Sequence, residues 1–305
     1  MVTVVIFAYN HELFIEKAIK SVISQNTDFE LDIHILYTDS KDGTSLIIDE
    51  LITSSPNITK VTIGNSDSFI TKTQELTREF SKRYIIFMDG DDYWTDNYKL
   101  QKQVDFLEQN AEYNGIFHDV SIINQLDEKS ENEQLNYYSQ FKSYSQFNTY
   151  KSDYYPWDAV NRVVIPPGSL LFRTNKLKEN LDNLALVDYS GGWMITLFIL
   201  KNSKFKCINE QWSVYRNHNK GITKRKSHDL FILSNIKVLK KLLKDDYYNG
   251  IIWDVYKSIS QEYHYLVTST SIQSKKKKMK YLLMSNYYYL KYVFAQYRRI
   301  RKGDI

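Results

Sequence analysis

Three aspartates lie within four residues of one another, directly after an apolar run. Asp89, Asp91 and Asp92 follow Tyr84–Met88, a run that is typical of a buried strand. Carboxylates this close are costly to ionise together unless a cation joins them. Hard divalent ions such as Mg²⁺ or Mn²⁺ suit oxygen ligands of this kind, and substrate phosphates usually complete the coordination. The spacing therefore predicts either a divalent-metal site or an Asp-rich turn that caps the next helix.

Strand and helix signals alternate through the first half of the chain. The predicted strands are Val2–Ala8, Leu31–Tyr37, Lys60–Ile63 and Tyr84–Met88, and the predicted helices cover residues 12–24, 44–54, 68–81 and 97–109. This alternation predicts βαβ units in a doubly wound, mostly parallel sheet. In such sheets ligands bind beyond the carboxyl ends of the strands. We therefore expect Phe7–Glu12, Thr38–Thr44 and Asp89–Trp94 to lie close together.

The second half is less regular. Residues 125–155 are polar and lack a clear period, which indicates a long excursion, and Val163–Phe172 is a second apolar block. We predict a helix over 191–201 and strands near 205–208 and 211–215. From about residue 226 the pattern is helical to the end. The expected domains are therefore an α/β domain over 1–225 and a basic, Tyr-rich helical region over 226–305.

Six separated motifs occur over about residues 2–220. They are VTVVIFAYNHE (Val2–Glu12), LYTDSKDGT (Leu36–Thr44), TKTQEL (Thr71–Leu76), YIIFMDGDDYW (Tyr84–Trp94), IPPGSLLFR (Ile165–Arg173) and SVYRNH (Ser213–His218). In type and in order they resemble the motifs of the family-2 glycosyltransferases, the inverting enzymes of GT-A fold. The resemblance implies a GT-A domain, a Rossmann-like doubly wound sheet, followed by the C-terminal helical region.

The resemblance also implies a donor site for a sugar nucleotide. Tyr9 and Asn10, with the backbone of Ala8, would lie in the loop against the base, and Glu12 would lie near the ribose. Asp39 would accept a hydrogen bond from a base N–H, which favours uracil because a carboxylate is acceptor-only.

Lys72 would offset the charge of the diphosphate as a point cation. The motif departs from the family here, since Lys72 stands for an Arg and Glu75 for a Gly.

A metal is the second implication. Asp91 would be the chief ligand of Mn²⁺ or Mg²⁺, Asp89 would lie near the ribose and the metal, and Gly90 separates them in the donor loop. His218 would be a further metal ligand or a phosphate contact. The ion would bridge the diphosphate and stabilise the leaving nucleotide as a Lewis acid.

Each of these residues also has a purely structural interpretation. Tyr9 and Asn10 fit an ordinary strand end, Asp39 fits an Asx turn, and Lys72 fits a solvated helix position. His218 fits a hydrogen-bonded loop residue. Two further residues are predicted to be structural: His118 as a strand-end histidine and Trp94 as core.

This chain departs from the family's pattern at the residue expected to act as the general base. Inverting transfer needs a group that takes the acceptor's hydroxyl proton, usually a carboxylate. The family holds an Asp or Glu where this chain has Gly192. Asp188, four residues earlier, is our predicted catalytic base, because Gly191 and Gly192 give the turn flexibility. Asp119 is the alternative, and Asp182 is the next carboxylate upstream of Asp188.

Composition limits the other classes of protein. The single cysteine, Cys207, excludes an internal disulfide framework and a cysteine-based zinc site. No apolar run reaches the roughly 20 residues of a spanning helix, and the N-terminus lacks the basic region and cleavage site of a signal peptide. We therefore expect a cytoplasmic protein.

Charge is divided unevenly along the chain. Residues 229–305 carry 15 Lys and Arg against 6 Asp and Glu, whereas residues 1–228 carry 25 against 30. Within 275–302, basic clusters flank an aromatic stretch, which predicts a peripheral contact with the inner face of the cell membrane. The alternative is a packed terminal helix pair with solvated lysines, either within one chain or in a homodimer. No base-reading module is visible, so we do not expect nucleic acid as a partner.

The function expected from the resemblance is metal-dependent, inverting transfer of a hexosyl or N-acetylhexosaminyl group. The donor would be a nucleotide diphosphate sugar, with UDP favoured, and the acceptor a glycan or lipid-linked acceptor in bacterial surface polysaccharide or glycoconjugate synthesis. Gly192 keeps a second hypothesis open, a catalytically weak or inactive partner of an active transferase. A nucleotidyltransferase is a third, disfavoured because the loop after the first strand has no glycine.

Overall fold

A computed structural model describes residues 1–64, 69–124, 152–161, 165–166, 168–184, 191–218 and 228–302. The chain divides into two units. The first comprises Met1–Tyr155, Val164–Ala185 and Phe198–Asn219, and the second comprises Pro156–Val163, Leu186–Leu197 and Lys220–Ile305. The units interleave along the chain, whereas the sequence pattern predicts a single boundary after residue 225.

Nine strands of the first unit form one sheet. They are β1 (Val2–Ala8), β2 (Leu31–Thr38), β3 (Ile58–Ile63), β4 (Tyr84–Asp89), β5 (Tyr93–Trp94), β6 (Tyr113–Asn124), β7 (Asp153–Tyr154), β8 (Leu171–Arg173) and β9 (Lys204–Asn217). The order across the sheet is β3-β2-β1-β4-β8-β6-β9-β5, and β7 pairs with β9. This arrangement confirms the predicted GT-A sheet.

The parallel half of the sheet is built from the runs that the sequence predicts as strands. β1 pairs in parallel with β2 and with β4, and β2 pairs in parallel with β3. In β1 every side chain except Phe7 is buried, as expected for β-branched and apolar residues covered on both faces. The registers Ala8↔Tyr37 and Phe7↔Asp89 bring the carboxyl ends of β1, β2 and β4 to one edge of the sheet.

The other half differs from the prediction. β8 is antiparallel to both β4 and β6, while β6 and β9 run parallel over most of their length. Both stretches predicted as strands, near 205–208 and 211–215, are extended, but the predicted break between them is wrong. They form one long strand, β9, whose register with β6 shifts around Asp119. His118 is also not at a strand end. It lies inside β6 and is fully buried.

Four helices flank the parallel strands: α1 (Ile15–Ile23), α2 (Thr44–Thr53), α3 (Phe69–Glu79) and α4 (Lys99–Gln109). α1 buries Ile15, Ala18, Ile19 and Val22, the helical spacing seen in the sequence. It begins three residues later than predicted because a turn precedes it, with Phe14 N donating to His11 O at 2.9 Å. Trp94 lies in the core with them, as predicted.

The remaining helices are short up to residue 199 of the chain, and three long ones follow towards the C-terminus. They are α5 (Pro156–Val160), α6 (Thr174–Lys178), α7 (Leu181–Leu184), α8 (Gly191–Ile199), α9 (His228–Leu242), a 3₁₀ helix (Asp246–Ile251), α10 (Ile252–Thr268) and α11 (Lys275–Lys302). The helical C-terminal region is therefore confirmed. Among the described helices, none combines the length and apolar character needed to cross a bilayer.

Candidate functional site

The acidic turn lies at the carboxyl end of β4. Asp89, Asp91 and Asp92 each direct a carboxylate oxygen to one place, and these three atoms lie within 4.8 Å of one another. Two backbone hydrogen bonds fix the turn: Gly90 N donates to Phe7 O at 2.9 Å, and Asp92 N donates to Asp89 O at 3.2 Å. The turn is therefore bound to the end of β1 as well as to its own strand.

Gly90 is required by space. A Cβ atom at this position would lie 2.8 Å from Phe7 O, from His11 Nδ1 and from Ile15 Cδ1. One of these atoms is backbone, and Ile15 is a fully buried side chain at the start of α1. No side chain fits between the two aspartates without displacing the turn.

Two histidines approach Asp91. His218 Nε2 lies 2.7 Å from Asp91 Oδ2, and His11 Nε2 lies 3.7 Å from the same oxygen. His218 follows β9 and is almost fully buried, whereas His11 follows β1. The structure thus brings the predicted ligand His218 to Asp91, and it adds His11, which the sequence analysis did not single out.

The third aspartate is held by the end of β9. Asp92 Oδ1 accepts a hydrogen bond from Arg216 N at 2.8 Å, and Arg216 Nε donates to Asp91 O at 3.0 Å. The guanidinium of Arg216 lies 4.5 Å from the centre of the Phe14 ring and 5.8 Å from that of Tyr93. Arg216 was also missed as a site residue, although it stands two residues before His218 in the motif SVYRNH.

The three carboxyl groups differ in pKa. Burial, together with the charge of Asp91, raises the pKa of Asp89 to about 7. Burial and the charges of Asp91 and Asp89 raise the pKa of Asp92 well above its ordinary value. Burial would also raise the pKa of Asp91, but the hydrogen bond from His218 and the charges of His11 and His218 hold it below its ordinary value. Asp91 is therefore the carboxylate that stays ionised.

This donor set fits a divalent cation. Asp92 Oδ2 is buried and has no hydrogen-bond partner among the described residues, and Asp89 is held at a raised pKa beside it. A divalent cation would supply the positive charge that such oxygens lack, and hard oxygen ligands are the kind that Mg²⁺ and Mn²⁺ prefer.

The loops after β1 and β2 are tied together by side chains predicted to bind the donor. Asn10 has a left-handed φ of 54°, its N–H donates to Ser40 Oγ at 3.0 Å, and its Oδ1 accepts from Lys41 N at 2.9 Å. Glu12 Oε2 accepts from Gly43 N at 2.7 Å. Asn10 and Glu12 therefore shape the loops directly.

The neighbouring candidates share this edge of the sheet. Ala8 is buried at the last position of β1, and Tyr9 follows it half-buried. Asp39 follows β2, is exposed, and its carboxylate makes no hydrogen bond to any residue that the structure describes.

Lys72 lies on α3, and its Nζ pairs with Glu75 Oε2 at 2.8 Å. Its charge is thus shared with the residue that replaces the family's glycine.

The carboxylates considered as general base are placed differently. Asp188 lies outside the described residues. Asp119 is buried within β6, where its Oδ1 accepts from the N–H of Val120 at 2.9 Å. Asp182 is exposed on α7, with Arg78 Nη2 at 3.9 Å. Gly192 lies in the first turn of α8.

Gly168 and Ser169, in the motif IPPGS, are held by hydrogen bonds from two buried side chains. Gly168 has a φ of 68°, a left-handed conformation that favours glycine, and its carbonyl accepts from Trp94 Nε1 at 3.0 Å. Ser169 O accepts from Gln103 Nε2 at 2.8 Å. A Cβ on Gly168 would lie 3.2 Å from Met88 Cγ, so this segment lies against the strand that carries Asp89.

Comparison with known proteins gives one family. Residues 3–181 match the model of glycosyl transferase family 2. Two curated relatives, the uncharacterized proteins Rv1520 of Mycobacterium tuberculosis and Mb1547 of Mycobacterium bovis, are each 25% identical over 222 residues. The match covers 72% of this chain, which spans only 60% of the length of either relative.

Solved structures agree on the fold. TarS of S. aureus, residues 1–349 in complex with UDP-GlcNAc, superposes with a TM-score of 0.65 at 13% identity, covering 93% of this chain and 79% of that one. The mannosyltransferase PcManGT of Pyrobaculum calidifontis, in complex with GDP-Man and Mn²⁺, has a TM-score of 0.55 at 13% identity, covering 98% and 86%. Likeness at these identities shows the fold alone. Because the family model matches more than half of the chain, the chain belongs to glycosyl transferase family 2.

Proposed function

We propose that this protein is a metal-dependent, inverting glycosyltransferase that takes its sugar from a nucleotide diphosphate donor. The observation that carries the proposal is the convergence of Asp89, Asp91 and Asp92 at the end of β4, with His218 Nε2 2.7 Å from Asp91. In a parallel sheet this is the edge at which ligands bind. A family-2 chain with buried acidic ligands at that edge is suited to bind a diphosphate through a cation.

The residues of the acidic turn would divide the work of holding the ion. Asp91, kept ionised by the hydrogen bond from His218 and by the charge of His11, would be the principal ligand together with Asp89. His218 would complete the protein's share as a neutral imidazole whose Nε2 binds the ion in place of its hydrogen bond to Asp91. Bound there, Mn²⁺ or Mg²⁺ would act as a Lewis acid toward the leaving diphosphate. Arg216 holds the turn in place from β9 through Asp91 O and Asp92 Oδ1.

The donor is a UDP-sugar in this proposal. Asp39 is exposed at the carboxyl end of β2 and can only accept hydrogen bonds when ionised, which suits the imide N–H of uracil. Tyr9, Asn10 and the backbone of Ala8 form the adjoining loop, and Lys72 is the candidate for a diphosphate contact. TarS, with the same fold, is solved with UDP-GlcNAc, whereas PcManGT is solved with GDP-Man and Mn²⁺. We propose a hexosyl or N-acetylhexosaminyl group as the sugar.

The acceptor would be a hydroxyl of a glycan or a lipid-linked glycan, in cytoplasmic assembly of a bacterial surface polysaccharide or glycoconjugate. We propose that residues of the segment Ile165–Arg173 line the part of the site that binds the acceptor, since Gly168 and Ser169 are fixed beside β4. The proposed donor and stereochemistry are tested by incubating the protein with Mn²⁺, a glycan acceptor and each of a panel of UDP-sugars and GDP-sugars. Transfer of the sugar to the acceptor is measured. Product of inverted anomeric configuration by NMR supports the proposal, and retained configuration contradicts it.

Asp188 is the proposed general base. Loss of a positioned base lowers the rate by about 10²–10⁴-fold without removing donor binding. We expect Asp188→Asn to lower kcat in this range with an unchanged Kd for UDP, and the matched Asp182→Asn to leave both unchanged. Full activity of Asp188→Asn would show that another residue acts as the general base.

A second candidate function is supported by one residue. Gly192 occupies the position at which the family carries the base, and it lies in the first turn of α8. A chain without a base would be a weak or inactive partner that binds sugar nucleotides for an active transferase. Donor binding with no turnover on any acceptor, and turnover restored by Gly192→Asp, would favour this second function.

A further inference from the structure

The last helix carries a line of apolar side chains that points into solvent. On α11 the residues Met279, Leu283, Tyr287, Leu290, Phe294 and Tyr297 follow one another at intervals of three or four and are each 50–66% exposed. This spacing places them on one face of a helix. From Met279 to Tyr297 the stripe extends about 27 Å along the helix axis.

The opposite face of α11 is already packed. Ser285 Oγ donates to Ser260 O at 3.0 Å, and Ser260 Oγ donates to Ser285 O at 2.9 Å, so the two helices α10 and α11 are joined at their centres. The ring of Tyr288 stacks on that of Tyr263 at 6.1 Å. The apolar stripe is therefore a second face, additional to the one that fixes the helix in the fold.

The charge of α11 has a single sign. Residues 275–302 contain ten lysines and arginines and no acidic residue. Lys275, Lys276, Lys277 and Lys280 are exposed, and none of them makes an ion pair with a residue that the structure describes. On a helical projection Lys280, Lys291 and Arg298 lie along one border of the stripe.

We propose that α11 binds the surface of an anionic lipid bilayer, with the stripe from Met279 to Tyr297 in the acyl boundary and the lysines among the headgroups. An apolar face bordered by cations is the pattern of an interfacial helix. Tyrosine suits this depth because its ring is apolar while its hydroxyl stays hydrated, and Phe294 places a wholly apolar ring among the acyl chains. Long lysine side chains extend from the helix to reach the phosphates.

The positive charge of α11 favours a lipid bilayer over a second copy of the chain as the partner of the apolar stripe. In a homodimer built on the stripe, two helices of the same strongly positive charge would face each other without an acidic residue between them. Like charges so placed oppose association, whereas an anionic leaflet attracts every one of them. Nucleic acid would satisfy the lysines but would leave the six apolar side chains in water.

The test is co-sedimentation of the full chain with vesicles of phosphatidylcholine alone or mixed with phosphatidylglycerol. We expect binding to the mixed vesicles at least about tenfold stronger than to neutral ones. Leu290→Ser/Phe294→Ser and Lys276→Gln/Lys277→Gln should each weaken it by about tenfold or more. Leu46→Ser, at an apolar side chain of α2 that is 70% exposed, is the control and should bind like the wild type.

Three results would overturn the proposal. The first is equal binding to neutral and anionic vesicles, or none to either. The second is a dimer in sedimentation velocity that Leu290→Ser/Phe294→Ser converts to a monomer, which would assign the stripe to a second copy. The third is tighter binding of RNA than of vesicles, abolished by Lys276→Gln/Lys277→Gln. Far-UV circular dichroism of each variant verifies its fold and is independent of the result with lipid.

Discussion

Gly90 sets the geometry of the acidic turn at the scale of a single residue. The absent side chain allows its N–H to reach Phe7 O at 2.9 Å, with His11 and Ile15 closing around it. Because a Cβ there would lie 2.8 Å from three atoms, one of them backbone, we expect Gly90→Ala to lower the free energy of unfolding by about 1–3 kcal/mol. Urea unfolding followed by circular dichroism measures the change.

Gly250 supplies the matched control for this substitution. No atom lies within 4 Å of the Cβ that would be added at Gly250, so Gly250→Ala should change the free energy of unfolding by less than about 0.5 kcal/mol. Equal stabilities for the two variants would show that the turn is not packed as described.

His218 is the second residue on which the site depends. Its Nε2 contacts Asp91 Oδ2 at 2.7 Å and lowers the pKa of that carboxyl group. We expect His218→Gln to raise the Mn²⁺ concentration needed for half-maximal UDP binding by about 10–100-fold. His264→Gln, on the exposed side of α10, should leave it unchanged. An unchanged requirement in His218→Gln would remove this histidine from the site.

At this scale the sequence predicted part of the site. The acidic residues were found because they are adjacent in the chain and follow an apolar strand. His11 and Arg216 were missed because their relation to Asp91 arises from folding: β9 returns more than a hundred residues later and places Arg216 beside the turn. The signals that could have found them are the histidine in AYNH and the arginine in YRNH.

At the scale of a single element, the first turn of α4 buries a lysine side chain. Lys99 is 0% exposed, its Nζ donates to Gln103 Oε1 at 2.8 Å, and it lies 4.2 Å from the centre of the Trp94 ring. Gln103 in turn donates to Ile116 O and to Ser169 O. This network connects α4 to β6 and to the segment beside the acidic turn.

The buried amine predicts a pH dependence of stability. Burial holds the pKa of Lys99 well below 10.5, against a smaller opposite effect of Asp96. The folded amine is thus neutral where the unfolded amine is protonated, so stability increases as the pH rises toward 10.5. Between pH 7 and 9, the free energy of unfolding of the wild type should gain up to about 1.4 kcal/mol per pH unit relative to Lys99→Met.

Urea unfolding of both proteins across that range measures the difference. The buried His118 does not contribute to it, because burial lowers the pKa of its imidazole and an unfolded histidine is already neutral above its ordinary value of 6.5. A difference that stays constant with pH would mean that Lys99 is charged in the folded protein.

Elements with a regular period were predictable, and those with an irregular one were not. β1 and β4 are almost continuous apolar runs, and β2 alternates buried apolar residues with Asp32 and His34; all three are predicted within one residue of their bounds. β9 was predicted as two strands because polar residues interrupt its apolar pattern. The reason is structural: the register between β6 and β9 shifts around Asp119, so alternation fails at that point while pairing continues.

At the scale of the whole molecule, the distribution of charge was visible in the sequence. Residues 229–305 carry an excess of nine positive charges, and the helices expected there are present. The grouping of Pro156–Val163 and Leu186–Leu197 with those helices was not visible. It depends on contacts between segments far apart in the chain, such as the hydrogen bond from Asn161 Nδ2 to Asp254 Oδ1 at 3.0 Å, which leave no local pattern.

Calorimetric titration of the full chain with UDP and with GDP tests the metal-dependent donor site at the end of β4 most directly. The titration is carried out in the presence of Mn²⁺, is repeated in EDTA, and is repeated with the Asp91→Asn variant in Mn²⁺. The matched control is Asp105→Asn, at an exposed carboxylate of α4 whose hydrogen bond to Gln101 is its only one to a residue that the structure describes.

We predict binding of UDP in preference to GDP that requires Mn²⁺, disappears in EDTA and in Asp91→Asn, and persists in Asp105→Asn. Binding of neither nucleotide, or binding of UDP that EDTA and Asp91→Asn leave intact, would contradict a metal-dependent donor site at the end of β4.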